Sequence, residues 1–442
     1  MSRAADALLP WTPTAGDPFD VAKAAHLFRR AAFGADPETV RAAVKEGPEA
    51  TVRKLLAGVP DEDDPDARSA LAIGETASHG TDIAPLRAAW TLRLLVARDA
   101  LRERLTLFFH GHFATGNAKV RSPRLMWGQH LAIRRDALGK FRGLLHAMTM
   151  DPAMLVYLDG RENRKGHPNE NYAREIFELF TLGVGRYTEH DIREAARALT
   201  GIAIEEGNGV FVPARHDASA KTIFGREGEF EPPDVVRLTL DRSETAEFLA
   251  RKLARYFLAD EPDEAVVAAL AEVYYRSEYD ASALAGTILR SRVFYSDACR
   301  GARVRGPVEL VAGAARSLGV ATFPPNDAAR ALDEMGQSLF DPPNVKGWDG
   351  GRSWITVATW LRRLRFAADL AASKGFDPAR LGGGDDDAAT ARALLDHLAP
   401  CGSRADLVER TVAAARGAGG DDAARARAAA RFVLSLPETQ LG

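Results

Sequence analysis

The stretch His167-Pro168-Asn169-Glu170-Asn171-Tyr172-Ala173-Arg174-Glu175-Ile176-Phe177-Glu178-Leu179-Phe180-Thr181-Leu182-Gly183 decides how the chain reads. Its spacing predicts a helix over residues 168–182, with proline in the first turn and Gly183 and Gly185 ending it. Asn171, Glu175 and Glu178, at i, i+4 and i+7, share one face; Glu170, Arg174 and Glu178 share the next. Ile176, Phe177, Leu179 and Phe180 cover most of the remaining circumference, the mark of a buried helix. Carboxylates on such a helix need a cation or a proton, and Arg174 can neutralise only one of them. A bound metal or a catalytic proton accounts for the other; the competing account is an Arg–Glu network to neighbouring helices.

Outward from this stretch, helical periodicity dominates. Asp36-Pro37-Glu38 starts a helix with a cap, a proline and an early carboxylate. Residues 83–113 run nearly free of Gly and Pro, with Leu94, Leu95, Leu101, Leu105 and Phe108 at helical spacing. Residues 125–150 predict one or two more helices, and Thr188, with Asp191 three residues on, caps another that Gly201 closes. The period then changes. Ile202, Ile204, Val210 and Val212 flank Glu206-Gly207-Asn208-Gly209 and predict a β-hairpin, residues 215–233 a loop, and residues 235–240 a short extra strand. Helical text resumes over 243–339, prolines and glycines break 341–351, and Gly382-Gly383-Gly384 marks an exposed linker before two or three tail helices. The expected fold is mainly α: a multi-helix globular fold with a small β-hairpin insertion around 201–240. Its expected parts are an extension over 1–25, a main domain over 26–375, and a linker with a helical tail over 376–442 that packs on it.

Composition agrees with a globular chain of 442 residues, 46% hydrophobic and 27% charged. Lys and Arg number 58 against 61 Asp and Glu, so no global positive charge recruits nucleic acid. Two cysteines, Cys299 and Cys401, cannot build a disulfide framework and fit a reducing compartment. No apolar run suits a signal peptide or a membrane span, so the expected location is cytoplasmic, with export open to a start site placed further upstream.

Seven of the ten histidines fall between His110 and His216, which directs the search for chemistry there. In Phe109-His110-Gly111-His112, helical geometry parts the two imidazoles, but Gly111 could unwind the turn and let both act as metal ligands. One buried, hydrogen-bonded histidine and one surface histidine is the alternative. His216-Asp217 with Lys221 brings a base, a carboxylate and a cation together at a strand end, where a turn stabilised by Asp217 is the alternative. Asn344, Lys346 and Trp348 offer an amide, a cation and an indole from a rigid loop, unless the indole merely plugs the core. Phosphate-loop, dinucleotide-binding, HExxH, GxSxG, paired ExxH and CxxC signatures are all missing.

These segments carry a resemblance. His26-Leu27-Phe28-Arg29-Arg30-Ala31-Ala32-Phe33-Gly34, the 109–115 His-x-His segment, Asp151-Pro152-Ala153-Met154-Leu155-Val156-Tyr157-Leu158-Asp159, and residues 169–183 and 187–201 follow in order. His216-Asp217 with Lys221, Met335-Gly336-Gln337 and residues 342–355 complete it. Together they resemble the bacterial domain-of-unknown-function family numbered 1800, over residues 26–364 with a looser continuation through the tail. Ala32 stands where glycine is expected, which touches local packing alone. The resemblance implies a largely helical fold without a settled activity, and a pathway or complex shared with a sulfatase- or alkaline-phosphatase-like protein.

The functional expectation is a hydrolase-like enzyme, metal-dependent or acid/base. Glu175 and Glu178 would hold a divalent cation or act as an acid/base pair, and His110, His112 and His216 would supply ligands or move protons. Lys221 or Arg174 would stabilise developing negative charge. Asn171, Arg174, Asp217, Asn344, Lys346 and Trp348 would contact substrate. A non-catalytic helical scaffold displaying residues 344–348 is the alternative, and an oxidative metalloenzyme a second.

Overall fold

The Ala100–His112 helix is buried around most of its girth, Glu103, Arg104 and Thr106 included, and is wedged between two cores. Leu101, Leu105, Phe108 and Phe109 face one core, shared with Phe113, Phe141, Phe177 and Phe180. Leu107 faces the second, built from Trp90, Val311 and Phe366 and, from the tail, Leu394 and Val433. The computed structural model describes residues 6–320, 322–382 and 386–442. Among them are 23 α-helices and two small two-stranded antiparallel sheets, so the fold is mainly α. None of the described helices is long and apolar enough to cross a membrane. Gly383 and Gly384 of the expected linker lie outside the described residues.

Local signals fixed several elements. Asp36 caps Pro37–Glu46 by accepting from the Glu38 and Thr39 amides. Thr188 and Asp191 exchange hydrogen bonds, 3.2 Å and 2.9 Å, at the start of Glu189–Ala198. Strand Ile202–Glu205 pairs with Asn208–Phe211 through a turn whose central residues, Glu206 and Gly207, both have positive φ.

Other expectations are corrected. Residues 235–240 are helical, not a strand: Pro232–Leu240 starts with a proline, and the Glu231 amide donates to Asp234 Oδ2 at 3.1 Å. Val235, Val236, Leu238 and Leu240 are all buried there, and burial overrides the β preference of the valines. Residues 215–233 hold a second hairpin, Lys221–Ile223 with Arg226–Gly228, rather than loop alone. The 83–113 run is two helices, Ala84–Val96 and Ala100–His112, parted where the Arg98 amide donates to Asp64 Oδ2 at 2.7 Å. The deciding helix changes character midway: Glu170–Glu175 is α-helical, and Ile176–Thr181 is a π-turn.

Candidate functional site

Three chain segments meet at the C-terminal end of Ala100–His112. The helix continues through Gly111 to His112, so Gly111 does not unwind the turn and the two imidazoles diverge. Gly111 allows a close approach instead. A Cβ on Gly347, whose φ is +86°, would stand 2.3 Å from the Gly111 carbonyl oxygen, so the 342–350 loop sits directly on the helix end. Asn344 shapes that loop by accepting from the Lys346 amide at 2.8 Å, and Trp348 then lies against Gly111.

His112 takes the other side. Its Nε2 is 3.1 Å from the Phe180 carbonyl, one of those left unpaired at the end of the π-turn. A carbonyl can only accept, so Nε2 carries the proton and Nδ1 presents its lone pair. Lys252, from Ser243–Phe257, donates its ammonium to that Nδ1 at 2.8 Å. Burial pushes the Lys252 amine down to about 8. Burial first and Lys252 second hold the His112 imidazole well below its ordinary value, so it is neutral.

This pair lines a cavity of about 780 Å³ that opens between Ser243–Phe257, residues 301–309 and the 342–354 loop. Tyr256, Trp348 and Trp354 supply aromatic walls. Tyr256 is pinned, donating to the Arg104 carbonyl at 3.0 Å, and burial raises its phenol to about 12. Glu309 accepts from Arg104, from Arg303 at 2.9 Å and from the Gly306 amide at 2.8 Å, which hold its carboxyl well below the usual range against burial. Lys252, Arg255, Lys346 and Arg352 line the cavity with no ion pair among the described residues, against Glu261 and Asp349 in the same condition. The unpaired charge is therefore net positive.

The sequence-derived candidates fall into separate places. His110 faces away from His112, buried against Trp90, Phe340 and Trp348, and burial pushes its imidazole down to about 3. Glu175 and Glu178 are partly exposed rather than sealed in the core. Tyr187 donates to Glu178 at 2.6 Å, and Arg174 turns away to grip Glu189 at 2.9 Å and 2.7 Å. Burial, then the Glu178 charge, raises the Glu175 carboxyl, while Arg174 and Lys346 oppose that rise. Lys346 thus connects the Glu175 face electrostatically with the cavity. Asn171 is exposed on the same helix.

His216, Asp217 and Lys221 each have partners of their own, and none of them lines the cavity. His216 Nδ1 donates to the Thr200 carbonyl at 2.9 Å, Arg197 donates to Asp217 at 2.8 Å, and Lys221 donates to the Ser219 carbonyl at 3.0 Å. Arg197 holds the Asp217 carboxyl far below its ordinary range, and burial lowers the Lys221 amine. Among the described residues no three His, Cys, Asp or Glu side chains converge as metal ligands would. The site residues the sequence reading missed are Lys252, Arg255 and Tyr256. A signal existed: Phe248, Lys252 and Tyr256 repeat at i, i+4 and i+8, placing a lysine between aromatics on one helical face.

Residues 26–441 match a family described as a protein of unknown function (DUF1800). The chain belongs to this family. No curated protein and no solved structure matches it.

Proposed function

We propose that the protein is a hydrolase-like acid/base enzyme acting on an anionic substrate in the cavity beside His112 and Lys252. The observation that carries this is the 2.8 Å contact between Lys252 Nζ and His112 Nδ1, at a cavity wall where the amine's proton affinity is lowered. Lys346, Arg255 and Arg352 hold the anionic group, and Trp348 and Trp354 pack on the apolar part of the substrate. Water attacks the central atom of the anionic group and gives its proton to bulk solvent as the bond to the leaving oxygen breaks and Lys252 protonates that oxygen, while His112, fixed by the Phe180 carbonyl, orients the ammonium. Lys346 also acts on Glu175, whose carboxyl its charge lowers against burial. The acid/base form of the reading is favoured over the metal-dependent one because the carboxylates and imidazoles that would share a cation point to separate places.

The test pairs labelling with turnover. Competitive labelling with acetic anhydride across pH reads the affinity of Lys252; half-maximal reactivity near pH 8 is expected. Nitrophenyl phosphate, sulfate and succinate esters are then offered to the wild type and to Lys252→Met. Turnover of at least one ester, reduced at least 100-fold in the variant with its fold intact, is the expected result. A lysine titrating at its ordinary value, no turnover, or turnover equal in both proteins overturns the proposal. The last two would favour the scaffold alternative, with the sulfatase- or phosphatase-like partner that the family resemblance suggested.

A further inference from the structure

The large cavity does not end at its aromatic wall. The short 3-10 turn Gly351–Trp354 puts Arg352 and Trp354 into the lining, and the chain leaves through Ile355 into the helix Val357–Ala372. Apolar side chains are exposed from that point on. Seven large hydrophobic residues are exposed among the described ones, and three of them follow Trp354 at once: Ile355, Val357 and Leu361, at 36%, 83% and 59%. Val357, Leu361, Leu364 and Ala368 stand at i, i+4, i+7 and i+11, which sets them in one row along the helix. The core-facing side is a different one, with Arg363, Phe366, Ala367 and Leu370.

The row runs into an open trough of about 590 Å³, where Ala368, Ala371 and Ala372 form one wall and Ala414, Ala418 and Phe432 the other. The helix Asp422–Leu434 follows the same course in the opposite direction. Arg427 donates to the Ala371 carbonyl at 2.9 Å, while Arg363 donates to the Gln440 side chain at 3.1 Å. Leu441, the next residue, lines the cavity together with Trp354. Cavity and trough are thus the two ends of one apolar track. From Val357 to Ala368 the helix rises about 16 Å, and the hydrocarbon of one bilayer leaflet is about 15 Å deep.

Whatever covers this track must be apolar along its length, and it meets net positive charge at the cavity, where Arg352 stands beside the aromatic wall. In the trough Arg427 is held by the Ala371, Ser373 and Phe376 carbonyls, and Arg431 faces solvent. A second copy of the chain is the poorer occupant, because three exposed side chains fall short of the roughly 800 Å² per partner of a stable interface. We propose, on the strength of the function proposed above, that the substrate is a single-chain amphiphile with an anionic ester head. The head sits in the cavity, and the alkyl or acyl chain lies along Val357, Leu361 and Leu364 towards the trough.

Binding of compounds that cannot be hydrolysed tests this apart from turnover. Butyl- and dodecylphosphonate, and the matching sulfonates, are titrated into the full-length protein by calorimetry below their micelle concentrations. Each buried methylene is worth roughly fourfold in affinity, so half of the further methylenes lying on the track should make one dodecyl anion bind at least 100-fold more tightly than its butyl counterpart. Dodecyltrimethylammonium, with the same chain and the opposite charge, should bind at least tenfold more weakly than that anion. In the double variant Val357→Gln, Leu361→Gln, which alters exposed positions, the dodecyl-to-butyl ratio should fall at least tenfold. Equal butyl and dodecyl affinities, a ratio unchanged in the variant, or equal binding of the dodecyl cation overturns the proposal. Self-association of the wild type that the variant loses, read by sedimentation, overturns it as well, since a second copy then covers the track. A chain-length effect without ester turnover removes the hydrolase reading and leaves the amphiphile site standing; turnover without a chain-length effect does the reverse.

Discussion

Replacing Lys252 by methionine isolates the electrostatic cost on which the proposed chemistry depends. The lysine stem and methionine are close in volume, so the packing against Phe248 survives. What changes is the charge. Burial lowers the amine from 10.5 to about 8, and that difference is worth about 3 kcal/mol at most, because the exposed side of the amine is screened by solvent. Below pH 8 the amine is protonated in both folded and unfolded chains, and the folded state bears the whole cost. Between pH 8 and 10.5 the folded state has released the proton while the unfolded chain still holds it, so stability rises with pH. Above 10.5 the cost is gone. Lys252→Met has no such dependence, but it leaves His112 Nδ1 without its donor, a loss of roughly 1–3 kcal/mol. The variant should therefore match or exceed the wild type at pH 7.5 and fall behind it at pH 10.5. Urea unfolding at both pH values reads this directly, and subtracting one protein from the other cancels the tyrosines and other lysines they share. A difference that is flat within about 0.5 kcal/mol across that window, where about 3 is expected, refutes a lowered Lys252.

Asp151 offers a second test of sign. Burial raises its carboxyl to about 7, so the stability it contributes is complete below the ordinary value near 3.8 and is lost as pH rises towards 7. Asp151→Asn keeps the acceptor for the Met154 amide and Gln129, and calorimetry should find it equal to the wild type at pH 3.5 and more stable by at least about 1 kcal/mol at pH 8. Gly347→Ala places a methyl group against the Gly111 carbonyl at a φ that disfavours side chains, so the loop must lift. A red shift in tryptophan emission that disappears in a Trp348→Phe background is expected, and an unchanged spectrum counts against the close approach. Glu309→Gln removes the counter-charge of Arg104 and Arg303 and should cost about 3–5 kcal/mol in denaturant unfolding. Ester turnover, where found, should fall about tenfold for each pH unit above about 8 as Lys252 loses its proton.

Legibility in the sequence followed the range of the interactions involved. The Asp36 and Thr188 caps and the Glu206-Gly207 turn are settled within four residues, and the structure has them as their residue types require. Failures arose where distant packing overruled local preference. Val235 and Val236 are β-formers, yet they are buried from within a helix, and only the proline pair before them hinted at it. The face shared by Glu175 and Glu178 was legible, but not its surroundings, because a partly exposed stripe and a buried one have the same spacing. Arg174 was expected to neutralise one of those carboxylates; it reaches Glu189 instead, a partner supplied by the next helix. His112 meets Lys252 across 140 residues, a separation over which periodicity carries no information.

The chemical role of Lys252 follows from which of two opposed effects prevails. The lone pair of His112 Nδ1, at the end of Ala100–His112, accepts from the ammonium at 2.8 Å. That favours the ammonium; burial disfavours it, and burial prevails. The balance leaves the amine roughly nine-tenths protonated at pH 7, so at rest it is a cation and a proton donor rather than a nucleophile. His112 cannot relieve it of that proton, since its own affinity is held lower still. The Nδ1 lone pair instead points the ammonium in one direction. In the proposed reaction, an anion entering the cavity is drawn first by Lys346, Arg255 and Arg352, and by covering Nζ it would exclude the water that still screens the amine. Covering Nζ deepens its burial while the anion's own charge favours the ammonium, so in the proposed reaction the proton stays on Lys252 until negative charge builds on the leaving oxygen.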